Sequence, residues 1–247
     1  MTVLEVKRDS GHSSLQSRQV IPYAKALALA LKLPKHNVEQ VLAEKSIQRL
    51  EETIQAQTAS ADGKGPFDFH HNGDFSLART VYAACRVLSP SVVLETGVAY
   101  GVTTAFALQA LAVNNKGALL SIDLPPLGKS ADSHVGRLIP RKLRERWTLC
   151  RGNVKRALCP SLALVGDVDV FVHDSLHTYQ NMTFELRAVW PHLRPGALVI
   201  ADDVGLNEAF HDFAREVRPS FHGVMKEERK DALFGILAKP TVNLSST

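Results

Sequence analysis

The sequence predicts an α/β fold in which a mostly parallel sheet carries helices on both faces and closes on an antiparallel hairpin. Three observations lead there. Short apolar, β-branched runs alternate with helical stretches from residue 74 onward, the signature of strand–helix–strand units. The run SVVLET is short and has an apolar, mostly β-branched core at Val92, Val93 and Leu94, as a strand covered on both faces has. The last stretch, FHGVMKEERKDALFGILAKP, reads as two strands around the polar turn Glu227 to Asp231, and such a hairpin joins antiparallel strands.

Each element follows in order. Residues 1–20 are polar and are expected to lack regular structure. Tyr23 to Leu33 is the most apolar early stretch, far shorter than the roughly 20 residues of a membrane span. NVEQVLAEKSIQRLEETI starts with Asn37 and has Gln40 three residues later, a capping-box pattern. With Val38, Val41, Leu42, Leu50 and Ile54 on one side, it predicts a single amphipathic helix from Asn37 to Ile54, which could serve as a dimer surface. QTASADGKGPFDFHHNGD is a long polar loop. Loops of that length inside a domain tend to be functional or disordered, and Phe67, Phe69, His70 and His71 suit either a lid that touches substrate or a spacer.

FSLARTVYAACRVL is a helix capped by Asp74 and stopped before Pro90. SVVLET, GALLSID, RWTLC, VDVFVHD and ALVIADD are five strands in succession. Between them lie the helices VTTAFALQALAV, VKRALCPSLAL (short, broken near Pro160) and TYQNMTFELRAVWPHL, and NEAFHDFAREV follows the fifth strand. This divides the chain into an N-terminal helical extension with a lid or substrate loop expected at its end (1–73), an α/β domain (74–240) and a tail (241–247).

Composition narrows the function. The chain of 247 residues is 45% hydrophobic and 22% charged, an ordinary globular balance for one large domain with a small addition. The net charge of +4 is spread out, and its densest cluster is Arg137, Arg141, Lys142, Arg144 and Arg146. That cluster suits a solvated face or an anionic partner. The three cysteines, Cys85, Cys150 and Cys159, form no C-x-x-C pair, which argues against a zinc site and for a reducing compartment. With no apolar N-terminal core for a signal peptide, a cytoplasmic protein is expected.

In a sheet of this kind ligands bind at the carboxyl ends of the strands. Those ends read Glu95 with Gly97, then Asp123, Gly152–Asn153, Asp174 and Asp202–Asp203, so acidic residues converge on one rim. VVLETGVAYG offers two glycines four apart, Gly97 and Gly101, where a dinucleotide fingerprint wants three. Glu95 just before them would repel a pyrophosphate and suits a cationic ligand; S-adenosylmethionine (SAM), with its sulfonium, ammonium and ribose, is one. Asp123 is the residue type that accepts hydrogen bonds from ribose hydroxyls. Either glycine would let the backbone approach a ligand and pack the following helix. Three crowded carboxylates would repel unless a cation compensates, and an all-oxygen set favours Mg²⁺, with Ca²⁺ or Mn²⁺ as options; Asp202 and Asp203 could otherwise be a helix cap and its neighbour. His177, three residues past Asp174, could take a proton, orient the site, or contact the cofactor. Tyr100 and Tyr179 could line the pocket or pack; His173 on the fourth strand suits the core.

The succession VVLETGVAYG, ALLSIDLP, LCRGN, DVFVHDSLHTY, LRPGALVIADD and the closing hairpin resembles the class I SAM-dependent methyltransferases over roughly residues 74–240. HDSLHTYQNMTFEL followed by PGALVIADD is similar to their metal-dependent small-molecule O-methyltransferases, which include macrolide- and sugar-modifying enzymes and the cephalosporin hydroxylase-like relatives. The resemblance implies a Rossmann-like sheet of seven strands. It implies a SAM pocket using Glu95, Gly97, Tyr100, Gly101, Asp123, Gly152, Asn153 and Asp174, and a divalent metal on Asp174, Asp202 and Asp203. Asp174 and His177 would then be catalytic, and the acceptor a hydroxyl of a sugar, polyol or secondary metabolite. Many relatives have aspartate where Asn153 stands, and some have glutamate at the position of Asp202. Two other readings compete. An NAD(P)-dependent oxidoreductase needs the third glycine, and no Tyr-x-x-x-Lys pair follows the fourth strand; a non-catalytic SAM-binding protein leaves the acidic rim without a purpose. A nucleic-acid base methyltransferase would want N/D-P-P-Y/F where this chain has D-S-L-H, and neither a lysine-rich groove nor an aromatic platform is visible.

Overall fold

A computed structural model describes residues 19–59, 74–124 and 129–241. Its seven-stranded sheet runs in the order β3-β2-β1-β4-β5-β7-β6, with β1 Val92–Thr96, β2 Ala118–Asp123, β3 Trp147–Arg151, β4 Val168–His173, β5 Leu193–Ala201, β6 Phe221–Lys226 and β7 Leu233–Ala238. The first five strands pair in parallel, and β7 joins β5 and β6 antiparallel. The strand order reverses between β1 and β4, which places the crevice of a doubly wound sheet outside their carboxyl ends.

Nine helices among the described residues cover the sheet: α1 Tyr23–Leu31, α2 Lys35–Leu42, α3 Lys45–Ala59, α4 Phe75–Leu88, α5 Val102–Asn114, α6 Lys129–Asp132, α7 Val154–Val165, α8 Tyr179–Val189 and α9 Ala209–Val217. Strand alternation divides the core into two layers. Val93, Val170, Val172, Leu198 and Ile200 face α1 to α5; Leu94, Phe171, Val199 and Ala201 face α7 to α9. The same alternation decides where polar strand residues go. Glu95 shares the face of Val93 and looks toward α5, while His173 shares the face of Phe171 and looks toward α8.

Three local expectations are corrected. The helix from Asn37 to Ile54 is two helices, α2 and α3, and α2 starts after Pro34, with no capping role for Asn37. The break falls at Ala43–Glu44 because Glu44 is drawn into tertiary contact: its carboxylate accepts from Arg86 Nη2 at 2.7 Å and Nε at 2.9 Å, and from the hydroxyl of Tyr82. Helix α7 runs unbroken through Pro160. Pro160 and Arg156, whose carbonyl loses its donor, are both exposed, so water can take the vacant bond. Strand β5, expected over ALVIADD, starts earlier, at Leu193, and ends at Ala201, with a register irregularity against β4 between Val168 and Val170. The Asp74 cap is as expected: its side chain accepts from the Ser76 N–H at 2.7 Å. The expected lid residues Phe67, Phe69, His70 and His71, residues 1–18 of the polar segment 1–20 and residues 242–247 of the tail 241–247 lie outside the described residues.

No helix among the described residues is long and apolar enough to cross a membrane.

Candidate active site

Backbone bonds one residue beyond the strand ends bring the rim together. Gly97 N–H donates to Ile122 O at 2.9 Å, Asp174 N–H to Thr96 O at 2.8 Å and Asp202 N–H to His173 O at 2.8 Å. The residues that follow β1, β4 and β5 therefore stand side by side. They edge a cleft of about 660 Å³, within the ~300–1,000 Å³ of small-ligand sites. One side is formed by Gly97–Ala99, Asp123 and Asn153–Lys155; the other by Asp174, Ser175–His177, Asp202, Asp203 and Lys230.

The two sides differ in chemistry. On the first, Asp123 is nearly buried, and one carboxylate oxygen, Oδ2, has no partner. Burial raises its pKa, opposed by the backbone N–H groups of Ala99 and Leu124 and by Arg151. Asn153 caps α7 by accepting from Lys155 N–H at 2.9 Å, which occupies its carbonyl and leaves its amide nitrogen for other work.

On the second side, Asp174, His177 and Asp202 each offer an atom within 4.8 Å of the others. Burial and then the Asp202 carboxylate hold the pKa of Asp174 well above its ordinary value. Burial and Asp202 likewise push Asp203 up to about 6. His177 Nε2 lies 3.9 Å from Asp174 Oδ1 and 3.6 Å from Asp203 Oδ2. Burial, then His173, lowers its pKa to about 4, so the imidazole is neutral at pH 7. Asp203 stands outside the Asp174–His177–Asp202 trio, with φ of 51° and its carboxylate turned to His177.

Four residues expected at the cofactor do not edge the cleft. Glu95 is buried on the α5 side, where Oε2 accepts from Ser121 Oγ at 2.6 Å and Thr104 Oγ1 at 2.9 Å. Tyr100 is buried under Arg137, whose guanidinium sits 4.1 Å from the ring centroid. Gly101 starts α5 with φ of 88°, and a Cβ there would meet Ile139 at 2.8 Å. Gly152 donates to Asp123 O at 3.0 Å and has space for a side chain, its nearest neighbour being Ala157 Cβ at 3.6 Å. Gly97 does edge the cleft, yet its need for glycine is internal: a Cβ would stand 1.8 Å from the Asp174 carbonyl oxygen.

Glu95 makes a testable contribution to stability. Burial pushes its carboxyl up to about 7, against the pull of Ser121 and Thr104. The folded state therefore holds this proton more tightly than the unfolded chain. Its contribution is fully present below the ordinary glutamate pKa of about 4.5 and is lost as pH rises through about 7. At ~1.4 kcal/mol per pKa unit the loss is about 3 kcal/mol. Urea titrations from pH 5 to 8 should show Glu95→Gln with a flatter decline than the parent chain; parallel declines would contradict the assignment.

Three groups escaped sequence reasoning. Glu185 lies on the buried stripe of α8 with Met182, Leu186 and Val189, and a charge on an apolar stripe was the available signal. It accepts from Asn181 Nδ2 at 2.7 Å and from the hydroxyls of Ser175 and Thr96, and pairs with His173 Nδ1 at 2.7 Å. Asn181 also donates to Leu176 O at 3.0 Å, so this network fixes the loop that carries His177. Glu227 and Lys230 come from the β6–β7 turn, which the sequence presents only as polar.

Residues 94–204 match a family model described as a methyltransferase domain. No curated protein matches the chain. Among solved structures, an O-methyltransferase from Bacillus cereus in complex with SAH is 14% identical, with a TM-score of 0.56, covering 83% of this chain and 96% of its own. The O-methyltransferase TomG from Streptomyces achromogenes, involved in tomaymycin synthesis and in complex with SAM, is 15% identical, with a TM-score of 0.55 and coverages of 79% and 90%. The SAH-bound methyltransferase PaMTH1 of Podospora anserina is 12% identical at a TM-score of 0.54, covering 79% and 88%. The sheet order, its antiparallel closing strands and these likenesses establish a Rossmann-like methyltransferase fold.

Proposed function

We propose that this chain, which carries a methyltransferase domain over residues 94–204, transfers a methyl group from S-adenosylmethionine to a hydroxyl of a small molecule, with a hard divalent cation on the acidic side of the cleft. The observation that carries the reading is Asp123. Its Oδ2 is buried at the end of β2 without a donor, and a ribose diol supplies what it lacks. Asn153 keeps its amide N–H groups for an adenine edge. For the cation, the carboxylates of Asp174 and Asp202 converge within 4.8 Å of each other beside His177, and Asp202 Oδ1 is buried without a partner. Oxygen donors with no thiolate suit Mg²⁺, or Mn²⁺ and Ca²⁺.

When bound, S-adenosylmethionine supplies an electrophilic methyl group and the cation lowers the pKa of a neighbouring hydroxyl. The chain does the rest. Asp174, at the end of β4, stands between the cofactor side and the acidic side and orients both. His177, neutral at pH 7, accepts the acceptor's proton at Nε2, where Asp203 Oδ2 at 3.6 Å then balances the new charge. The Glu185 network holds the 175–177 loop, and with it the imidazole, in place.

Asp123→Ala should weaken binding of S-adenosylhomocysteine about 10- to 100-fold, the scale of lost hydrogen bonds to a charged acceptor. Calorimetric titration reads this directly; unchanged affinity would remove the cleft from consideration as the adenosyl site.

A further inference from the structure

Lys230 brings a positive charge to the acidic side of the cleft, which it edges together with Asp174, His177, Asp202 and Asp203. The β6–β7 turn is built to put it there. Glu228 N–H donates to Ser76 Oγ at 3.3 Å, Arg229 N–H to Asp74 Oδ2 at 3.1 Å, and Arg79 Nη1 to Glu228 at 3.0 Å. These contacts tie the turn to the N-terminus of α4. Its base is closed by Glu227 N–H, which donates to Ala232 O at 3.0 Å, and by the pair Lys226–Asp231 at 3.0 Å. Lys226 is thus held by Asp231, and Arg229 lies 4.7 Å from the Phe75 ring centroid. Of these three cations Lys230 is the one that lines the cleft. Glu228, Arg229 and Asp231 are exposed, while Lys230 is half-buried.

The carboxylates around it feel that charge. Burial, then the Asp202 carboxylate, raises the pKa of Asp174, Asp203 and Glu227, and in each the Lys230 ammonium opposes the rise. The acidic side therefore holds part of its compensating charge in the chain itself. A divalent cation entering there is attracted by the carboxylates and repelled by the ammonium. In a half-buried cleft that repulsion is only partly screened.

We propose that Lys230 sets the cation affinity of this site: its ammonium is a built-in counter-charge that weakens divalent-cation binding at Asp174 and Asp202 and stabilises the acidic side when no metal is bound. The inference rests on reading the acidic side of the cleft as a cation site. It gives the closing hairpin a part in a site whose carboxylates come from the parallel strand ends. Its signature is a sign: losing a ligand weakens cation binding, whereas losing a competing charge strengthens it.

The test uses the full chain and Mn²⁺ as probe, with free Mn²⁺ followed by electron paramagnetic resonance. Lys230→Met should bind Mn²⁺ about tenfold or more tightly than the parent, and Lys230→Arg, which keeps the charge, should stay within about threefold of it. Asp202→Ala should lose Mn²⁺ binding. Without metal, Lys230→Met should unfold at a lower temperature than the parent, and saturating Mn²⁺ should raise its midpoint by more than the parent's. Should Lys230→Met fail to fold, Lys230→Gln replaces it, with the same tightening expected. Affinity in Lys230→Met equal to the parent's or weaker, with binding lost in Asp202→Ala, would overturn the role of Lys230 and leave the cation site standing. Equal tightening in Lys230→Arg would overturn it too, because the charge would not be the cause. Mn²⁺ binding by neither the parent nor Lys230→Met would overturn the cation site and this inference with it. Binding by Lys230→Met alone would bear the inference out and remove the divalent cation from the parent's reaction.

Discussion

Asp202→Ala should reduce Mg²⁺-dependent methyl transfer by at least about 10²-fold while S-adenosylmethionine affinity stays within about threefold of the parent. The residue is fixed by its N–H bond to His173 O at 2.8 Å, and its side chain touches both Asp174 and Glu227. Its removal therefore takes out the carboxylate common to both halves of the acidic cluster. Folding should not suffer, because truncation relieves repulsion between buried carboxylates; in the absence of metal the thermal midpoint should hold or rise. A variant that turns over normally with Mg²⁺ would remove the cation from the reaction. One that unfolds would show instead that Asp202 is structural.

Gly97→Ala should destabilise the fold by about 3–5 kcal/mol, combining strain at positive φ with a clash that has no room to relax. Gly97 has φ of 85°, and an added Cβ would lie 1.8 Å from Asp174 O and 2.4 Å from its carbonyl carbon. Neither strand can shift to make space, since Gly97 N–H is bonded to Ile122 O and Asp174 N–H to Thr96 O. Gly152→Ala is the contrast: its Cβ would meet only Ala157 at 3.6 Å, and the change should fall within about 0.5 kcal/mol of neutral. Urea midpoints of the two variants decide the matter; equal stabilities would contradict the close approach of β1 and β4.

The acidic rim was legible because parallel strands end on the same side, so Asp123, Asp174 and Asp202 could be placed together from their positions after apolar runs. The role of Glu95 was not, because residue alternation turns it from the cleft to Thr104 and Ser121. A carboxylate beside a glycine turn looks the same in sequence whichever way the strand faces. Tyr100 likewise packs under Arg137, a contact across 37 residues of chain that no local pattern encodes. Glu227 was hidden for a third reason. Within KEERKD every side chain is polar, and only the docking of the turn on Ser76 and Asp74 selects the one that is buried. The division of α2 from α3 has the same origin, since Glu44 answers to Arg86 and Tyr82 on α4 rather than to helix propensity.

The most direct test of the account is calorimetric titration of the whole chain with S-adenosylmethionine, with and without Mg²⁺, and with NAD⁺ as the control. Saturable binding of S-adenosylmethionine, weakened in Asp123→Ala and accompanied by no heat from NAD⁺, is the predicted result. Binding of NAD⁺ in its place, or of neither ligand, would contradict the methyltransferase reading and leave only the fold.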